Sequence, residues 1–503
     1  MIEIEAQKTI KHLDNELENF DRKYEEGRWL KNQGLLSISD QINLEGHRAN
    51  ILLNQGIQNI VNEFMDTTKD PIFHRILLVL DRLIKYSKVE SNRSVYDIRS
   101  RIEQVITNYP ITIAGKKATR TDIMQILRSE KDTKLRFEAT HCFDELSRLV
   151  EKDVRRLIVQ RNSIAQEMGY KHFGDLGLML QGLNHQQLSK WFSSIVESTD
   201  SIYESFLSES AERLNQTRIY PHDLSYAITQ FYTLSDKYFL TKNLSESVYW
   251  LADRINITEA LSRVRIDYVD IPFEGICVTI HVPDDIRILI NPADGHSYYG
   301  TFFHEVGHAM HSSYMMQPHH LFRDEPGPFC EGMAQTMARF VDDSEWLLNF
   351  AKLPEQLFNN YKHIWRTYNI FHMRNLISKA EFEWQMYAEP ETDLLNSLQT
   401  IRHNYLRVPT TETIAWADNI YWASYPFYLQ NYVVAEMIAS QTHHALRKIL
   451  GHAIHTECGA WLEHNYWNLG GSVEWSDKVS HATGKELSPD ELILEMDKGY
   501  PPE

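Results

Sequence analysis

From His304 to His308 the chain reads His-Glu-Val-Gly-His. On a helix, residues four apart project from nearly the same face, so both imidazoles can meet one metal ion, while Glu305, turned by about 100°, points beside it towards a water. Neutral imidazole suits zinc, and a zinc ion held by three protein groups keeps an open position for that water. The ion lowers the water's pKa from about 15.7 towards 7, and Glu305 can take its proton as it attacks a carbonyl. Hydrolysis of a peptide bond is the natural use of such a set. The third protein group is sought downstream. Twenty-three residues past His308, Glu331 begins a second helical stretch, GPFCEGMAQTMARF, and could complete a His2Glu site. Asp324 and Glu325 compete for the role, although in YMMQPHHLFRDEPG they read as a solvated surface pair. Glu331 has small or apolar neighbours, so burying it without a partner would be costly.

These residues need helices to hold them, and the chain supplies helices. Apolar residues recur three and four apart from Ile2 to about Leu261, as in Ile76, Leu77, Val79, Leu80, Leu83 and Ile84. With only 21 Gly and 16 Pro in 503 residues, long helices with short connections are expected, and the fold class is mainly α. One stretch differs. VRIDYVDIPFEGICVTIHVPDDIRILIN, residues 264–291, is rich in Ile and Val and turns at Pro283, Asp284 and Asp285, predicting a small β-sheet next to the HExxH helix. A boundary is placed at this change of texture, giving regions 1–262 and 263–503.

A net charge of −18, from 51 Lys+Arg against 69 Asp+Glu, offers no footprint for nucleic acid. The four cysteines form no CxxC pair, which favours reduced thiols and a cytoplasmic setting. MIEIEAQKTIKHLDNELENF lacks the apolar core of a secretory signal, and no run of 18 apolar residues predicts a membrane span.

GTFFHEVGHAMHS resembles the zinc helix of the thimet oligopeptidase and oligoendopeptidase F family, which reads close to T-x-F-H-E-F-G-H-A-x-H. FCEGMAQ is similar to that family's F-V-E-x-P-S-Q segment, whose Glu, the third zinc ligand, falls on Glu331; Met333 and Ala334 replace Pro-Ser, and Gln335 keeps the Gln. The resemblance implies a two-lobed helical peptidase with a deep central channel that admits short peptides, residues 1–262 forming one wall. It also implies that Tyr-rich NIYWASYPFYLQNYVVAEMIASQ supplies hydroxyl donors to the oxyanion and the substrate, with Tyr425, Tyr432 and Tyr428 as counterparts. The family's His in that segment has no match, Tyr421 and Trp422 standing there. His311 matches a His of the motif and reads as a supporting or packing residue, not a ligand.

The expectation is therefore a zinc oligopeptidase with one Zn2+ on His304, His308 and Glu331, Glu305 as base, and short peptides as substrates. An exposed strand edge at Gly275, Ile276 and Cys277 could add an extended peptide, and the loop with Gly295 and Gly300 could flex around it. A zinc carboxypeptidase or peptidyl-dipeptidase is the same-class alternative. It would need a cation for the free C-terminus, for which Arg287, Arg374 and Arg402 are available. The length and the tail HATGKELSPDELILEM also suit Taq-type carboxypeptidases, whose third-ligand segment reads H-E-S-Q-S-R; the position of Gln335 favours the oligopeptidase. A non-catalytic peptide-binding relic is the reading from another class.

Overall fold

In the computed structural model of the chain, the described residues are 2–36, 38–271, 273–410 and 415–500. The amino-terminal helix Glu3–Asn32 carries Ala6, Ile10, Leu13 and Leu17 on one stripe, at the spacing that turns a single helical face inwards. That stripe meets Ile57, Ile60 and Phe64 of Gln55–Phe64 and Phe73, Leu77, Leu80 and Ile84 of Pro71–Glu90. Each large apolar side chain so buried contributes about 1.5–3 kcal/mol. Pro71 and the Asp70 carboxylate, which accepts from Ile72 N–H and Phe73 N–H, start the last of these helices.

The chain divides into two compact units, each drawn from three stretches: Met1–Asn92, Ser235–Pro354 and Val434–Ser488 in the first, Arg93–Leu234, Glu355–Val433 and Pro489–Glu503 in the second. The boundary expected at 262/263 is not the division between these units. Packing partners far apart in sequence define them, and no change of composition marks such a division.

A short antiparallel hairpin in the second unit, β1 (Ile111–Ile113) and β2 (Lys116–Ala118), interrupts the mostly helical pattern expected of the first half. Its strands have only three residues each, too short to read as alternation, and its turn places Ala114 and Gly115 at positive φ. Elsewhere in this unit Arg93–Asn108 packs on Asp144–Glu167, and the long helix Glu355–Ala388 packs on Leu394–Leu406.

The first unit holds the sheet expected from residues 264–291. Strands β3 (Arg265–Tyr268), β4 (Gly275–His281) and β5 (Asp285–Ile290) lie in the order β3-β5-β4, with β3 parallel and β4 antiparallel to β5. Trp29 of the amino-terminal helix packs with Val278, Ile280 and Leu289. Both β4 and β5 also pack on the HExxH helix, His296–Ser313. Among the described residues, no helix is long and apolar enough to cross a membrane.

Candidate metal centre

Tyr299, Phe302, Phe303, Val306, Ala309 and Met310 bury one side of the HExxH helix, with Phe303 and Tyr299 each 5.7 Å, centroid to centroid, from the fully buried Trp346. A second helix, Gly327–Ala338, begins with Pro328 in its first turn and buries Phe329, Met333, Ala334 and Met337. The two helices touch backbone to backbone at Gly307, where a Cβ would stand 2.6 Å from Ala334 Cα and 2.9 Å from the carbonyl oxygens of Met333 and Ala334. The glycine inside the motif thus sets how closely Glu331 can approach the two histidines.

One ligand atom from each of His304, His308 and Glu331 lies within 4.8 Å of the other two. Glu331 is buried, with its Oε2 3.2 Å from His304 Nε2 and 3.7 Å from His308 Nε2, while the imidazoles are partly open to solvent. Burial pushes the His308 imidazolium down to about 4, so the ring is neutral and ready to ligate. Burial would lower His304 as well, but the hydrogen bond and charge of Glu331 prevail and raise it to about 9. The proton so held is the one a dication at this position would displace. Two imidazole nitrogens and a buried carboxylate form a donor set that fits zinc or a neighbouring divalent transition metal.

A chain of side chains orients His304. Gln335 Nε2 donates to Glu436 Oε1 at 2.6 Å, and Arg339 Nη2 donates to Glu436 Oε2 at 2.5 Å. With its amide nitrogen committed, Gln335 presents Oε1 to His304 Nδ1 at 3.4 Å, which leaves Nε2 facing Glu331. Gln335 was visible in the sequence as a matched position; Glu436, 101 residues away on Leu429–Leu450, carried no signal there.

Glu305 is buried beside this set. Burial raises its carboxyl to about 7, with His304 and the Cys277 N–H pulling it down and Glu331 pushing it up, a value suited to proton transfer near neutrality. Strand β4 passes close over it, since a Cβ on Gly275 would lie 3.1 Å from Glu305 Cγ. The strand lies at the edge of its sheet among the described strands, so Gly275, Ile276 and Cys277 are on an edge as expected, next to the base.

Glu325 departs from the expectation of a solvated pair. Asp324 is exposed, but Glu325 is buried between the Lys478 ammonium and His311 Nε2, the latter at 2.8 Å. Both partners are themselves buried, and Lys478 also donates to the Gly470 carbonyl and lies 3.8 Å from the centroid of the Phe329 ring. Burial would raise the Glu325 carboxyl, yet Lys478 and His311 hold it below its ordinary range. His311 is thus spent on Glu325, one turn beyond His308. Lys478 lies 153 residues from its partner, which hid the pair from sequence reading.

Tyr425, Tyr428 and Tyr432 belong to the second unit, and the metal set to the first. The rings form a ladder, with centroids 6.3 Å apart from Tyr425 to Tyr428 and 5.7 Å apart from Tyr428 to Tyr432; Tyr425 is 53% exposed. Phe427, between them, sits at φ 54, and its N–H donates at 2.8 Å to the buried Glu383, whose carboxyl burial pushes up to about 8.

Residues 284–498 match the model of peptidase family M3. The matched stretch contains the HExxH helix and Glu331 and is similar to that family. The match supports a hydrolase of the metal-dependent peptidase class. A carboxypeptidase from Pyrococcus furiosus, solved in an apo-Mg form, is similar over 98% of this chain and 98% of its own, with a TM-score of 0.68 and 16% identity, and so shares its fold. No curated protein matches the chain.

Proposed function

We propose that the chain is a zinc-dependent oligopeptidase that hydrolyses internal bonds of short peptides in the cytoplasm. The observation that carries this reading is the convergence of His304, His308 and Glu331 to within 4.8 Å, beside a buried carboxyl raised to about 7. His304, His308 and Glu331 would hold one Zn2+. A bound zinc ion supplies Lewis acidity, polarising the scissile carbonyl and making water more acidic. Glu305 takes the proton of the attacking water and passes it to the leaving amine. Gln335, anchored by Glu436 and Arg339, keeps the His304 ring in the orientation that offers Nε2. The edge of β4 presents main-chain groups beside Glu305, where an extended peptide can pair regardless of its side chains. Tyr425, Tyr432 and Tyr428 are proposed donors to the oxyanion or the substrate backbone, each such donor being worth about 2.7–4 kcal/mol.

A carboxypeptidase is the second reading, supported by the similarity to the Pyrococcus furiosus carboxypeptidase. An internally quenched peptide of about ten residues, blocked at both ends, separates the two. Internal cleavage that stops on chelation and returns with zinc is expected. An intact blocked peptide, with residues released one by one from the C-terminus of its free-acid form, would overturn the endopeptidase reading.

A further inference from the structure

The tyrosine ladder of the second unit hangs on a buried frame. The one-turn helix Tyr421–Ser424 is too short to satisfy its own last carbonyls. Arg161, on the helix Asp144–Glu167, does so from inside the protein: its Nη1 donates to the Trp422 carbonyl at 2.9 Å and its Nη2 to the Ala423 carbonyl at 2.6 Å. The same Nη1 donates to the Tyr387 hydroxyl at 3.0 Å, which ties the guanidinium to the long helix Glu355–Ala388. Further along the turn, Glu383 of that helix accepts the Phe427 N–H at 2.8 Å. Arg161 and Glu383 are both fully buried.

This frame leaves Phe427 one place to be. Its φ of 54 is costly for any residue but glycine, and such a conformation persists only where the surroundings fix it. Those surroundings are close. A Cβ on Gly174 would stand 2.9 Å from Phe427 Cζ, and one on Gly177 2.8 Å from its Cδ2, so the helix Phe173–Leu180 takes the ring because both positions are glycine. Asn162, next to Arg161, accepts the Phe173 N–H and donates to the Tyr387 carbonyl, both at 2.9 Å, which docks that helix on the same frame. Glu383 Oε2 accepts no hydrogen bond among the described residues, so this costly burial of a carboxyl serves one backbone N–H. What the frame holds in place lies on either side of Phe427. Tyr428 follows it directly, and the exposed Tyr425 stands between the carbonyls held by Arg161 and the N–H held by Glu383.

We propose that Arg161 and Glu383 are positioning residues of the reaction. Clamped at the Trp422 and Ala423 carbonyls on one side and at the Phe427 N–H on the other, the turn carries the Tyr425 and Tyr428 hydroxyls to fixed points for the oxyanion or the substrate backbone. A donor stabilises a transition state only where its place is set beforehand, and a tyrosine hydroxyl is placed only as well as the turn that carries it. The proposal rests on the donor role proposed above for these tyrosines.

The test is a mutant cycle on the zinc-loaded enzyme, with whichever form of the quenched peptide, blocked or free acid, the parent cleaves. Glu383→Met removes the acceptor at a similar side-chain volume. It should lower kcat at least tenfold, with KM within twofold and one zinc ion bound per chain as in the parent. Glu383→Gln, whose amide oxygen can still accept the Phe427 N–H, should keep kcat within twofold. In the background of whichever of Tyr425→Phe and Tyr428→Phe lowers kcat more, Glu383→Met should lower it less than threefold further, because it acts through that hydroxyl. Gly177→Ala presses on the Phe427 ring without touching a polar group, should behave as Glu383→Met does, and takes its place in the cycle if that variant does not fold. An equal loss with and without the tyrosine hydroxyl would overturn the positioning role alone, as would an unchanged kcat in Glu383→Met or a loss that Glu383→Gln shares. An unchanged kcat in both tyrosine variants would overturn the donor reading and this proposal with it.

Discussion

Lys478 is buried and Lys379 half-buried, and the two units treat them differently. In the first unit Lys478 meets Glu325, which also holds His311, one turn from the ligand His308. In the second, Lys379 is half-buried and makes no ion pair among the described residues. A compensated buried group fixes geometry, because each member has one low-energy position and removing a member strands the others. A half-buried lysine without an ion pair keeps its ammonium towards water and fixes no geometry. Beneath the metal set, the protein holds fixed positions; along the long helix, Lys379 fixes none.

Breaking the compensated side should have the largest effect. Lys478→Met leaves Glu325 buried with only His311, and a loss of about 3–5 kcal/mol is expected, read as a lower midpoint in urea. A loss below about 1 kcal/mol would erase the contrast between the regions. Gly307→Ala tests the same rigidity without touching a charge. Its methyl group must push the Glu331 helix away, which should cost about 1–3 kcal/mol and, through a ligand displaced by a fraction of an ångström, weaken metal binding at least tenfold in a competition titration.

Glu383 sharpens the comparison from within the second unit. Its carboxyl is raised from 4.5 to about 8 by burial, so between those values the folded chain keeps a proton that the unfolded chain has lost. Stability from this group is therefore full below about pH 4.5 and falls as pH rises towards 8, by about 1.4 kcal/mol per pH unit at most. Glu383→Gln should remove that slope in urea melts at pH 5 and pH 8. An unchanged slope would mean that Glu383 is already ionised on the Phe427 N–H.

The motif His304 to His308 was legible because helical periodicity alone brings two residues four apart onto one face. Glu331 was legible because a carboxylate among Cys330, Gly332 and Met333 has no cheap place to go. The meaning of Gly307 and Gln335 lies in a crossing of two helices and in Glu436, neither of which leaves a local trace. Glu325 was misread for the same reason, since a polar loop sequence looks solvated until Lys478 arrives from 153 residues away. Helical content was plain in the text. The interleaving of three stretches into each unit was not, because such contacts have no sequence period.

The central claim is that His304, His308 and Glu331 hold a catalytic metal and that Glu305 serves it without holding it. Zinc titration of Glu305→Gln, followed by assay on the blocked, internally quenched peptide, tests this most directly. One zinc ion per chain, bound about as tightly as by the wild type, with hydrolysis reduced at least a thousandfold, is the predicted result. Zinc-bound Glu305→Gln that cuts at the wild-type rate would contradict it.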